Sequence, residues 1–389
     1  MARSTALATT KRNATNSTGG TAVTPSFATI QVLLHASATK PNASEVSNRD
    51  GTTTSSHLES EYDSGVPLSV FITGITGFVG SHLAERALAR GHLVHGLAHE
   101  DPPFHNLVAV ADRVRVHRGD VTDAGAVERA IAAARPDVIV HLAGMAVPTH
   151  AGRDPLAAVR VNVLGTATVV QAAREHPGIR LVHASTAEVY GGHGDVASSE
   201  GSPLHATNVY VATKIAAEPI VRELGDGGAN VATILRPANQ VGPRLHPDLV
   251  VSAFARQIAL IEIGRAEPVV KHGRLDAKRD MLDIRDMADA YLMATELRHD
   301  RTATYNVGTG SPAAIGDVLA TLCGLARVAV RTELDPARLR SGDPGVVSVD
   351  ATRFRERTGW EPRIPLERSL ADTLDYWRES VRSEAAVIA

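Results

Sequence analysis

The chain has 389 residues, 43% hydrophobic and 21% charged, with a net charge of -3, a globular balance without the basic excess of a nucleic-acid-binding surface. Its one cysteine, Cys323, can close no intrachain disulfide and build no thiolate cluster, which excludes a disulfide-stapled scaffold and a cysteine zinc fold. No run approaches 18 consecutive apolar residues, so no membrane-spanning helix is expected.

In chain order, residues 1–65 are crowded with Ser, Thr, Asn and Ala and carry no sustained period of 2 or 3.6, the pattern of a disordered extension. Arg3, Lys11 and Arg12 precede the first acid, Glu45, which keeps an organelle address as the alternative. A secretory signal fails because the apolar run 27–34 is late and interrupted by Thr and Gln; a cytoplasmic location is the expectation.

From Pro67 strand and helix signals alternate. Residues 68–72, 93–98, 114–118, 137–142, 179–184 and 231–235 are short apolar strands, and 78–90, 124–134 and 155–175 have helical spacing. Such alternation predicts an α/β fold with a doubly wound parallel sheet, a Rossmann domain over 66–243 plus later returning segments. After Pro243 the alternation loosens, and residues 244–382 are expected to form mainly a smaller substrate-binding lobe.

The first strand runs into Gly74, Ile75, Thr76, Gly77, Phe78, Val79 and Gly80. Glycines three apart at a strand-to-helix junction serve a tight turn, a close backbone approach to a pyrophosphate, and tight packing of helix on strand, while the helix N-terminus favours phosphate. A dinucleotide cofactor is therefore expected. At the end of the second strand Ala98 stands where an acid would hold a ribose 2′-hydroxyl, and His99 can donate to a 2′-phosphate. This favours NADP over NAD, with Glu100 as a late-placed acid for the opposite reading. Asp120 and Val121 after the third strand, and Leu142, Ala143 and Gly144 after the fourth, lie where ligands gather, Asp120 beside an adenine.

Tyr210 and Lys214, four apart, share one helix face, and an ammonium there would lower the phenol towards neutrality and hold ribose hydroxyls. Only five of 40 basic residues are lysines, and Lys214 is the sole one between 41 and 270. Arginine, planar and always charged, would suit neither role. After the fifth strand, Thr186, with Ser185 as alternate, can bond the oxygen that Tyr210 protonates, and Glu188 can act as a base or bind a hydroxyl. Pro219 should kink or end the catalytic helix a turn after Lys214. Seventeen histidines yield no metal site: His92, His95 and His99 do not share one face, and His141 inside an apolar strand reads as a core residue.

These motifs together resemble the extended short-chain dehydrogenase/reductases acting on nucleotide sugars, from Pro67 to about Arg378. In family order stand the glycine loop 73–80, the stretch 185–191, Tyr210 with Lys214, Arg236-Pro237-Ala238-Asn239 through Pro243, Arg279-Asp280, and Thr358-Gly359-Trp360. Ala187 stands where dTDP-glucose dehydratases carry Asp, which disfavours that class. The stretches 254–258, 267–273 and 275–286 are most similar to the GDP-4-dehydro-6-deoxy-mannose reductases, with the GDP-mannose 4,6-dehydratases close by. The resemblance implies that Pro237 lines the cofactor, Asn239 contacts sugar or diphosphate, Arg279 the diphosphate or ribose, and Arg340 the diphosphate. For Arg279 an ion pair with Asp283 or Asp286 is the plainer reading. It also implies a GDP-linked nucleotide-sugar substrate, a homodimer, and reduction of a C4 ketone with NAD(P)H. The alternatives are a 4,6-dehydratase or 4-epimerase with no net cofactor consumption and, more distantly, a non-catalytic dinucleotide-sensing protein.

Overall fold

The computed structural model describes residues 66–388 apart from 193, 195 and 340–343; the predicted extension over 1–65 and Arg340 therefore lie outside the described residues. The first half runs β1 (Ser69–Thr73), α1 (Phe78–Ala89), β2 (Leu93–Ala98), β3 (Val114–Arg118), α2 (Ala124–Ala134), β4 (Val138–His141), α3 (Pro148–Arg153), α4 (Pro155–Val159), α5 (Gly165–Arg174) and β5 (Arg180–Ala184). The second half runs α6 (Val209–Asp226), β6 (Val231–Pro237), β7 (Asn239–Val241), α7 (Val250–Glu262), β8 (Val269–His272), β9 (Lys278–Asp283), α8 (Ile284–Glu296) and β10 (Ala303–Val307). It closes with β11 (Pro312–Ala314), α9 (Ile315–Gly324), β12 (Arg331–Leu334), β13 (Val346–Val347), α10 (Thr352–Thr358) and α11 (Leu366–Ile388).

Seven strands form one parallel sheet in the order β10-β6-β5-β4-β1-β2-β3. The strands are apolar on both sides because both are covered. Val70, Ile72, Val140, Val182 and Leu235 pack with Leu83, Met287 and Tyr291 of α1 and α8. Phe71, Ile139, Leu181 and Ile234 pack with Val127, Ile131, Val169, Val221 and Leu224 of α2, α5 and α6. Side-chain caps start the helices: Asp123 accepts from the Ala126 amide at 3.1 Å and Asn208 from the Val211 amide at 3.0 Å. The order reverses between β1 and β4, so their carboxyl ends open a crevice, the ligand position of a doubly wound sheet.

The chain leaves this sheet after β6. β7 pairs with β9, which also pairs with β11 and β13, and α7, α9 and α11 close a second core on Phe254, Ile258, Leu319, Leu374 and Trp377. α8 and β10 return to the large sheet, β10 pairing with β6 in parallel.

Two helix expectations change. The helix read over 155–175 is divided by a wider π turn at Arg160–Leu164 between α4 and α5. α6 does not end after Lys214: it continues through Pro219 to Asp226. Pro219 lies on the exposed side while Ala217, Glu218, Val221 and Leu224 are buried, and that packing outweighs the roughly 3 kcal/mol an interior proline costs. Among the described residues the helical run Pro155–Arg174 has the length and composition of a membrane span, although half of it is buried in the fold.

Candidate active site

At the crevice, Gly74 adopts φ +70° at the end of β1, which an L side chain disfavours. Its backbone abuts the loop after β4: a Cβ there would lie 3.0 Å from the Ala143 backbone. The Thr73 hydroxyl holds that neighbour in place, accepting from the Leu142 and Ala143 amides at 3.2 and 3.1 Å. Gly77 caps α1 without any side-chain bond to the first turn, so the turn's N–H groups face an open approach. Gly80 is packed tightest: a Cβ would meet the Gly74 carbonyl oxygen at 2.2 Å. The cradle fits a pyrophosphate held by Gly74, Thr76, Gly77, Phe78, Val79 and Gly80 at the positive end of α1.

Around the rest of the dinucleotide position, Ala98 ends β2 and His99 is 79% exposed, its Nδ1 3.1 Å from Glu100. Arg118, the register partner of Ala98, pairs with Asp101. One Asp120 oxygen accepts from the Thr122 amide and hydroxyl, both at 2.8 Å, and these bonds hold the carboxyl below its usual range. Val121 is buried beneath Gly165. Gly144 leads directly to the chemistry, since a Cβ there would lie 3.0 Å from Asn162 Oδ1 and 3.5 Å from Lys214 Nζ.

Tyr210, Thr186 and Glu188 meet at the ends of α6 and β5. The Thr186 side chain and the Glu188 charge are both near enough to act on the Tyr210 phenol. Ser185 is committed elsewhere, donating to Glu218 at 2.7 Å, so Thr186 rather than Ser185 faces the phenol. The expected lowering of Tyr210 by Lys214 is corrected. Burial pushes the phenol up, Glu188 adds to the rise, and the Thr186 side chain opposes it only in part. The Lys214 ammonium instead donates to the Ala184 carbonyl at 2.7 Å. Burial brings Lys214 down to about 8, with the Glu218 charge acting in the other direction. Burial thus favours the neutral phenol of Tyr210 and eases loss of the Lys214 proton.

A buried layer below these residues was not anticipated. Glu218, one turn beyond Lys214, accepts from Arg236 Nε at 2.9 Å and Nη2 at 2.6 Å, besides Ser185. Arg236 also donates to the Tyr190 hydroxyl at 2.9 Å. Asn162, on the π turn, accepts from the Met145 amide at 2.7 Å and donates to Thr213 at 2.8 Å, tying α6 to the loop after β4. The helical spacing 210, 214, 218 was the signal for Glu218; nothing local pointed to Asn162. His141 is the satisfied core residue expected, bonded to Thr73 at 2.7 Å and Thr166 at 3.0 Å.

On the substrate side, Pro237 ends β6 and is buried, and Asn239 follows on β7, half-buried. Arg279 on β9 donates to the Lys278 and Pro344 carbonyls at 2.9 and 3.0 Å. Asp283 is engaged by Arg285 at 2.7 Å and by Ser369 at 2.6 Å, and Asp286 accepts from the Arg363 and Ile364 amides.

The model of the GDP-mannose 4,6 dehydratase family matches residues 71–373, which spans both lobes and every residue of this site. The chain belongs to that family. Among the family's relatives, a GDP-6-deoxy-D-mannose reductase from Pseudomonas aeruginosa is 32% identical over 320 residues, covering 81% of this chain and 99% of the relative. The solved structure of RMD from Pseudomonas aeruginosa complexed with NADPH superposes with a TM-score of 0.67 at 28% identity, over 80% of this chain and 99% of that one. A UDP-glucose 4-epimerase from Thermus thermophilus in complex with NAD gives a TM-score of 0.71 at 29% identity, over 79% and 98%. The family resemblance drawn from the ordered motifs is thereby borne out.

Proposed function

We propose that this enzyme reduces the C4 ketone of a GDP-linked 4-keto-6-deoxyhexose with a reduced nicotinamide dinucleotide, NADPH in preference to NADH. The observation that carries the reading is the buried Tyr210 phenol, kept protonated by that burial with the Thr186 side chain near it. A ketone taking up a hydride needs a proton for its oxygen, and a protonated phenol supplies one. When bound, the nicotinamide provides the hydride. Thr186 holds the sugar oxygen, Tyr210 protonates it, and Lys214, which donates to the Ala184 carbonyl, is assigned to the ribose hydroxyls. Asn239, Arg279 and Arg340 are assigned to the sugar nucleotide, the arginines offering forked donors to a diphosphate. Similarity to the 32%-identical reductase supports the same reading.

Purified protein given GDP-4-keto-6-deoxymannose and NADPH should lose nicotinamide absorbance, and GDP-mannose should cause no loss. Conversion of GDP-mannose or an epimerisable sugar nucleotide without net cofactor change would establish the second reading, in which Glu188 works at C5 of a dehydratase substrate. The family also contains such enzymes, and the Glu188 charge does reach Tyr210.

The homodimer is proposed on a surface observation. Leu156, Val159 and Leu164 are 70%, 47% and 52% exposed along α4 and the π turn, a row that a second copy would cover. Leu164→Glu should turn a dimer into a monomer in sedimentation; an unchanged mass would remove this face from the interface.

A further inference from the structure

The histidines rejected as ligands from the sequence are indeed dispersed: His92 accepts from the Leu68 amide, and His95 stacks on His117. Three other side chains, from segments about a hundred residues apart, do converge. His150 on α3 and His246 and Asp248 in the loop after β7 each present a ligand atom, and these atoms lie within 4.8 Å of one another. His150 Nε2 is 2.8 Å from Asp248 Oδ2, and the two imidazoles meet edge to face at 5.2 Å. The Asp248 amide donates to His246 Nδ1 at 3.2 Å, so a lone pair rather than a proton occupies the side of that ring facing Asp248. The bond is at the long end of its range, which makes it cheap to exchange.

We propose that His150, His246 and Asp248 form a binding site for a divalent transition-metal ion of the zinc and cobalt class. Two imidazoles and one carboxylate are the donor set that favours these ions over magnesium and calcium, which take oxygen ligands. In a tetrahedral site with bonds of about 2.0–2.1 Å, ligand atoms stand about 3.3 Å apart, so the His150–Asp248 pair at 2.8 Å opens slightly while the wider pairs close by at most about 1.5 Å. The positive charge of Arg153 reaches Asp248 and opposes a second cation.

The location gives the site a consequence. Ala151, next to His150, packs in one cluster with Tyr210, Ala187 and Ala238, and the loop carrying His246 and Asp248 follows Asn239. A bound ion ties α3, after β4, to the loop after β7. Three protein ligands leave a coordination position for water.

The test uses tag-free full-length protein titrated with cobalt(II) chloride and, in competition, zinc chloride, followed by calorimetry and visible absorption. One cobalt per chain, displaced by zinc, is expected. Affinity should fall by about tenfold or more in His150→Asn, His246→Ala and Asp248→Asn, and rise in Arg153→Ala. Asp248 is exposed, so Asp248→Asn should keep the metal-free melting temperature and isolates ligand loss from misfolding. Absence of one-to-one binding, or binding of undiminished affinity in Asp248→Asn, would overturn the assignment.

Discussion

Gly80 offers the sharpest test of the cofactor cradle. In Gly80→Ala the added Cβ would stand 2.2 Å from the Gly74 carbonyl oxygen and 2.7 Å from Ile75 Cα, against the 3.5–4.0 Å or so of an ordinary carbon contact. Relief needs a main-chain shift of about 1 Å in the turn that carries Gly74, which runs close beside the Ala143 backbone. Overpacking of this kind costs about 1–3 kcal/mol, and the strain falls on the loop that must face the pyrophosphate. The melting temperature should drop by several degrees. If about 1.4 kcal/mol of the strain is expressed in the loop, NADPH affinity should fall about tenfold. Gly152→Ala is the control: no atom lies within 4 Å of its Cβ position, so stability should stay within about 0.5 kcal/mol. Calorimetric NADPH binding and thermal melts check both. Wild-type affinity and melting in Gly80→Ala would refute the packing argument.

Tyr210→Phe should lower turnover roughly 10²–10⁴-fold while leaving NADPH binding intact, checked by single-turnover kinetics; near-normal turnover would remove Tyr210 as proton donor. Lys214 is cationic below about 8 and neutral above it, so kcat/KM should decline on the alkaline side near that value. Glu218→Gln removes the charge that raises Lys214, which should move the decline to lower pH; the broken buried pair with Arg236 should also cost about 3–5 kcal/mol in denaturant unfolding. Arg118→Ala should raise KM for NADPH about tenfold and leave NADH unchanged if Arg118 serves the 2′-phosphate, and equal effects on both cofactors would refute that.

The doubly wound sheet was legible because its strands are short apolar runs, the first ending at the glycine loop from Gly74, alternating with runs of helical spacing, all local signals. Within the site, Tyr210 and Lys214 were legible for the same reason: helical spacing fixes their common face. What stayed hidden depends on contacts between distant segments. The pairing of Glu218 with Arg236 joins α6 to β6, and the hold of Asn162 on Met145 depends on a π turn that no residue pattern announces. The direction of the Tyr210 shift was misread because proximity to Lys214 in sequence says nothing about burial, and burial is the larger effect. At Pro219 the ending of the helix is what fails, a local rule overridden by the packing on either side of it.

The most direct test of the reductase reading follows the hydride itself. With NADPH deuterated at the transferred position of nicotinamide C4 and GDP-4-keto-6-deoxymannose as substrate, the product sugar should carry one deuterium at C4, matched one-to-one by oxidised cofactor. Product formed with no deuterium at C4 and no net cofactor oxidation would contradict it.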